Sequence, residues 1–103
     1  MKALIITTQT PPALEAVFTD NAESAIEEIY AQNFDIVIFG NDVPEAEEKK
    51  LRKILSLQQY EILVVGQETE PLKFTLSQAK FMLNNYRYEK GNFTISDNKN
   101  TDE

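Results

Sequence analysis

The stretch from Asn33 to Pro44 constrains this chain most. Its centre, Ile36-Val37-Ile38-Phe39, is four consecutive apolar residues, with Asn33 and Asp35 before them and Gly40-Asn41-Asp42 after. A run this short, β-branched or aromatic throughout and closed at both ends by turn formers, reads as a strand buried on both faces. One helical pattern precedes it and another follows, so the local unit is helix, strand, turn, helix, which is the grammar of an α/β sheet. In such sheets chemistry sits beyond the carboxyl ends of the strands. There this strand meets Gly40, which has no side chain to react.

The other elements follow the same grammar. Ala3 to Thr7 reads as a central strand, and Leu14 to Thr19 as an edge strand with partial alternation. The link between them carries Pro11-Pro12 and is short for a parallel pair, which normally needs a crossover of about 10 to 12 residues. Either the two strands are antiparallel or the crossover is extended and has no helix; six extended residues reach about 20 Å, enough to run back along a short strand, and we take the extended crossover. Asp20-Asn21-Ala22-Glu23 is a capping signal. The helix it opens runs to about Gln32, with Ala22, Ala25, Ile26, Ile29 and Tyr30 on one face and Asn33 in the left-handed position that ends it. Asp42-Val43-Pro44-Glu45 repeats the cap, with Pro44 in the first turn. The pairs Glu45–Lys49 and Glu48–Arg52 support this second helix, whose apolar residues arrive only at Leu51, Ile54, Leu55 and Leu57. Glu61 to Gly66 is a further strand. A third helix starts between Pro71 and Ser77, carries Leu76, Ala79, Phe81, Met82, Leu83 and Tyr86, and stops at Gly91; Asn92 to Ser96 reads as a last short strand. The expectation is a single domain over residues 1–96 followed by a flexible polar tail, 97–103.

Composition excludes whole classes of function. The chain has 103 residues, with no histidine and no cysteine, so disulfides, thiolate nucleophiles, Cys/His zinc sites and Ser-His-Asp chemistry are out. A formal charge of -7 repels phosphate backbones, which argues against nucleic acid as a direct partner. Met1 to Ile6 is too short and too weakly basic for a signal peptide, and no segment approaches about 20 apolar residues. The expectation is a soluble, cytoplasmic protein with no membrane contact.

From Val17 to Gly66 the chain resembles the receiver domain of two-component response regulators, a flavodoxin-like fold. Val17-Phe18-Thr19-Asp20-Asn21-Ala22-Glu23-Ser24-Ala25-Ile26 is similar to a receiver's second strand and helix. Asn33 to Pro44 resembles the pattern of Pro-Asp, four apolar residues, the phosphoacceptor Asp, three residues and Pro; Glu61 to Gly66 stands in the place of the fourth strand. The resemblance implies an α/β fold, a three-layer or incomplete two-layer sheet of four to five mostly parallel strands with about three helices, in which the first receiver helix is missing. It also implies where chemistry should be, and the residues there depart from the family. Gly40 stands at the phosphoacceptor position. Ile6-Thr7-Thr8 replaces the acidic pair that holds Mg²⁺, Gly66 replaces a Thr or Ser, and no Lys-Pro follows a fifth strand. Phosphoryl transfer needs a nucleophile and concentrated positive charge, so the resemblance implies a degenerate receiver that is not an enzyme, with no catalytic residue and no cofactor.

In a receiver the first and fifth helices cover one face of the sheet. Without them, one side of Ile5, Val37, Phe39 and Val64, or of their neighbours one residue along, is expected to lie bare, at a cost on the order of several kcal/mol. A large apolar patch usually marks a partner, so this face is the expected interface for a homodimer or another protein. Asp20, Asp42 and Glu68 are weak candidates for a divalent cation at the carboxyl edge, against the simpler reading that the aspartates cap helices and Glu68 sits in a solvated loop. The charged helix from Glu45 to Lys53 reads as a solvated face. Phe74, Phe81, Tyr86, Tyr88 and Phe93 read as core or interface rather than a pocket. The functional expectation is a non-catalytic domain acting through protein contact, self-association in particular; the alternative is a small ligand- or metal-binding domain using the carboxyl edge.

Overall fold

The computed structural model describes residues 1–9 and 13–90, the side chains of 86–90 excepted. Four strands, β1 (Ala3–Ile6), β2 (Val17–Thr19), β3 (Ile36–Phe39) and β4 (Leu63–Gly66), and three helices, α1 (Ala22–Ala31), α2 (Glu45–Ser56) and α3 (Leu72–Lys90), follow one another in the order β1-β2-α1-β3-α2-β4-α3. The strands form one all-parallel sheet in the order β2-β1-β3-β4. That is the order of a flavodoxin-like sheet up to its fourth strand. β1 and β2 pair in parallel, Leu4 opposite Val17 and Ile6 opposite Thr19, and the described residues between them hold no helix. The expected last strand, Asn92 to Ser96, the polar tail, and Pro11-Pro12 lie outside the described residues.

Alternation along the strands divides the core in two. Leu4, Ile6, Val37, Phe39 and Val64 pack with Ala25, Ile29, Leu51 and Leu55 of α1 and α2. Ala3, Ile5, Ile36, Ile38 and Leu63 pack with Leu72, Leu76, Ala79 and Leu83 of α3. Both faces are therefore helix-covered, as the fully apolar strands require.

This division overturns the bare-face expectation. Ile5, Val37, Phe39 and Val64 are all 6% exposed or less, and they do not even share a face, since Ile5 points to α3 and the other three to α1 and α2. Among the described residues, three helices suffice because they divide two and one over four short strands. On the α3 side, Leu14, Ala16 and Phe18 pack against the same cluster, supplying at the β1–β2 end the cover a helix would otherwise give.

Several local expectations shift. Tyr30 is 67% exposed and Leu57 is 68% exposed, so neither joins the apolar face of its helix; α1 buries Ala22, Ala25 and Ile29, and α2 buries Leu51 and Leu55. Gln32, with extended backbone, ends α1. The ion pairs of α2 form as spaced, Glu45 with Lys49 at 3.6 Å and Glu48 with Arg52 at 2.8 Å. Phe81 lies on the outer face of α3, 67% exposed.

Candidate functional site at the carboxyl edge of the sheet

The strands β1, β3 and β4 all end in turns at one edge, where Thr7, Thr8, Gly40, Asn41, Asp42 and Gln67 meet. Asp42 organises the edge. Its carboxylate accepts hydrogen bonds from the Thr7 hydroxyl at 2.9 Å, from the Thr8 backbone N–H at 2.5 Å and from the Thr8 hydroxyl. Partial burial pushes the Asp42 carboxyl up, and the bonds from Thr8 and Thr7 outweigh it, leaving the group below its ordinary value. It is therefore a fixed anion, with most of its lone pairs already engaged.

Asp42 does not cap α2, as the sequence suggests. The residue before that helix is Pro44, with no side-chain capping bond. The two hydroxyls and the N–H at the end of β1 compete for the carboxylate and win. Glu45, Glu47 and Glu48 in the first turn complement the helix dipole instead. At α1 the cap moves by one residue: Asn21 Oδ1 accepts from Ser24 N–H at 2.8 Å, while Asp20 accepts from the Asn21 side-chain amide at 2.8 Å.

Gly40 is held to glycine by space. A Cβ built there would lie 2.5 Å from Asp42 Oδ1, 3.0 Å from the Ile6 carbonyl oxygen and 3.0 Å from Thr7 Cβ. The position that resembles the phosphoacceptor is thus filled by the carboxylate two residues later, folded back onto β1. The backbone adds to the closure, with Gly40 N–H donating to the Ile6 carbonyl at 2.8 Å and Val43 N–H to the Gly40 carbonyl at 3.1 Å.

A chain of amides then ties this turn to the rest of the edge. Gln9 donates its side-chain amide to Asn41 Oδ1 at 3.3 Å. Asn41 donates its N–H to Gln67 Oε1 at 3.0 Å and its side-chain amide to the Glu68 carbonyl at 2.8 Å. Gln67 reaches the Glu70 carbonyl at 2.7 Å, and the buried Thr75 of α3 gives its hydroxyl to the Glu70 carboxylate at 2.6 Å. Sequence reading missed this network, because Gln, Asn and Thr in loops carry no periodic signal; the one available hint is the Thr7-Thr8 pair closing a buried strand opposite an Asp after Gly.

Asp20, Asp42 and Glu68 do not converge: among the described residues no three acidic side chains stand close enough to hold a metal ion. Beside Asp20 a cleft of about 600 Å³ opens between the ends of β1 and β2 and α1, lined by Thr7, Thr8, Gln9, Thr19, Asp20 and Glu27 among others, with no Lys or Arg among the described residues of its lining. An anion arriving there meets carboxylates, the reverse of what phosphoryl transfer requires. Among the described residues, no helix is long and apolar enough to cross a membrane. Compared with protein-family models, curated proteins and solved structures, the chain matches none.

Proposed function

We propose that this chain is a non-catalytic, receiver-like signalling domain of the cytoplasm that works through protein contact, self-association included, and takes no phosphoryl group by the receiver mechanism. One observation carries the reading: the space above Gly40, where a nucleophile would stand, holds the Asp42 carboxylate clamped by Thr7 and Thr8. A group so engaged is a poor nucleophile, and among the described residues no basic side chain lines the adjoining cleft to stabilise the transferred charge. The edge spends its polar groups on holding three strand ends together.

Incubation with acetyl phosphate and Mg²⁺, followed by intact-mass spectrometry, tests this. The expected outcome is an unmodified chain; an added phosphoryl group on Asp42 or any other carboxylate would end the reading. A second reading, a small ligand or cation in the carboxyl-edge cleft, has one observation in its favour. The buried Thr19 hydroxyl has no hydrogen-bond partner among the described residues, and Thr19 lines that cleft. Calcium, magnesium and nucleotide titrations followed by amide NMR shifts separate the two: saturable shifts confined to Thr7, Thr19 and Asp20 favour the ligand.

A further inference from the structure

The third helix carries a sequence repeat, and its described aromatics, Phe74 and Phe81, lie away from the buried face. Lys73-Phe74, Lys80-Phe81 and Arg87-Tyr88 place a basic residue and an aromatic one at successive seven-residue steps. The inward residues Leu72, Leu76, Ala79 and Leu83 bury themselves against the sheet. At 100° per residue, Phe74 and Phe81 then stand roughly opposite that face, and they are 52% and 67% exposed. They lie about 10.5 Å apart along the axis, with Lys73 Nζ 5.4 Å from the Phe74 ring centroid. Four basic residues against one acid give α3 a formal charge of +3, in a chain of -7, so the remainder carries -10.

We propose that this outer face of α3 docks on the outer face of α1 in a second copy of the chain. The inference rests on the contact reading above and names its partner. α1 has Glu23, Glu27 and Glu28 and no basic residue, a formal -3 against the +3 of α3. Glu23 and Glu27 are exposed, and Tyr30, seven residues after Glu23, is 67% exposed, so α1 presents acids and one aromatic over two turns, a length that matches the span from Phe74 to Phe81 on α3. No described residue forms an ion pair with Glu23, Glu27, Lys73 or Lys80. The other exposed helix, α2, mixes Lys49, Lys50 and Lys53 among its acids and offers no such complement. Pairing α3 with α3 across a two-fold axis would set the lysines of one copy beside those of the other, which like charge opposes. Because α1 and α3 cover opposite faces of the sheet, the contact is head-to-tail and propagates to a ring or a filament.

Sedimentation velocity of the full chain, from micromolar to millimolar concentration, tests the assignment. The parent is expected to gain mass with concentration. K73E/K80E and E23K/E27K should each raise the apparent dissociation constant by about tenfold or more, while an equal mixture of the two associates again, since every α3–α1 contact between unlike variants joins opposite charges. Phe74→Ser/Phe81→Ser should also abolish association with far-UV circular dichroism unchanged. Association indifferent to all these changes, or a mixture that stays dissociated, overturns the α3–α1 contact and leaves the contact reading standing. A parent that remains monomeric at millimolar concentration overturns it as well; if that monomer pellets with phosphatidylserine-containing vesicles, the stripe belongs to a lipid surface. Failure of the underlying reading shows separately, as a phosphoryl label or a saturable ligand.

Discussion

The carboxyl edge of the sheet and the outer face of α3 treat their side chains in opposite ways. At the edge, most polar groups are matched: Asp42 takes three donors from Thr7 and Thr8, Asn41 donates to Gln67, and Glu70 accepts from both Gln67 and Thr75. On α3, Phe74 and Phe81 are left in solvent, where each keeps apolar area that burial would turn into stabilisation. In the resemblance to receivers the edge is where function should lie. In this chain most of the edge's polar groups bond to one another, the Thr19 hydroxyl excepted, and the exposed aromatics lie elsewhere, on α3.

The sharpest way to break that comparison is to truncate α3 on each side. Leu76→Ala, on the inner face, should cost about 2–5 kcal/mol of stability. Phe81→Ala, five residues further along on the outer face, should change it by no more than about 0.5 kcal/mol. Urea denaturation of both variants reads the difference; a large loss at Phe81 would mean that its exposure here is not its environment in solution. Next in size is Gly40→Ala, expected to cost about 1–3 kcal/mol by overpacking. Combined with Asp42→Ala the costs should fall short of additive, because the nearest clashing atom is gone; strict additivity would mean that the turn, not the carboxylate, restricts this position. The smallest effect is on pH dependence. The folded-state pKa of Asp42 lies below the ordinary carboxylate value, so its contribution is complete above that ordinary value and is lost as pH falls through the lower, folded one. Replacing Asp42 by Asn should therefore flatten the acid limb of thermal stability below about pH 4 and leave stability near neutrality lower by a constant amount. An unchanged acid limb would deny the Thr7–Thr8 clamp.

Much of the scaffold was legible in the residues. The apolar run Ile36 to Phe39 gave its strand to the residue, and the four-residue charge pairs of α2 formed where their spacing put them. Helix ends were less legible: Asn21 rather than Asp20 caps α1, and Pro44 rather than Asp42 precedes α2. A cap is chosen by competition, and at Asp42 the competing donors sit on β1, more than thirty residues away in sequence. The supposed bare face failed for a similar reason. Counting missing helices ignored that Leu14 and Ala16, in a link with no helical pattern, pack onto the same cluster as α3.

What the sequence determined by itself was local and periodic: short runs apolar enough for a covered parallel sheet, four of them strands among the described residues, and three helices between and after these. What only the tertiary structure decided was which of these surfaces is occupied. Burial depends on what long-range pairing sets opposite a residue. Only the assembled sheet brings Thr7 and Thr8 to Asp42, crowds Gly40 and turns Phe74 and Phe81 away from the core.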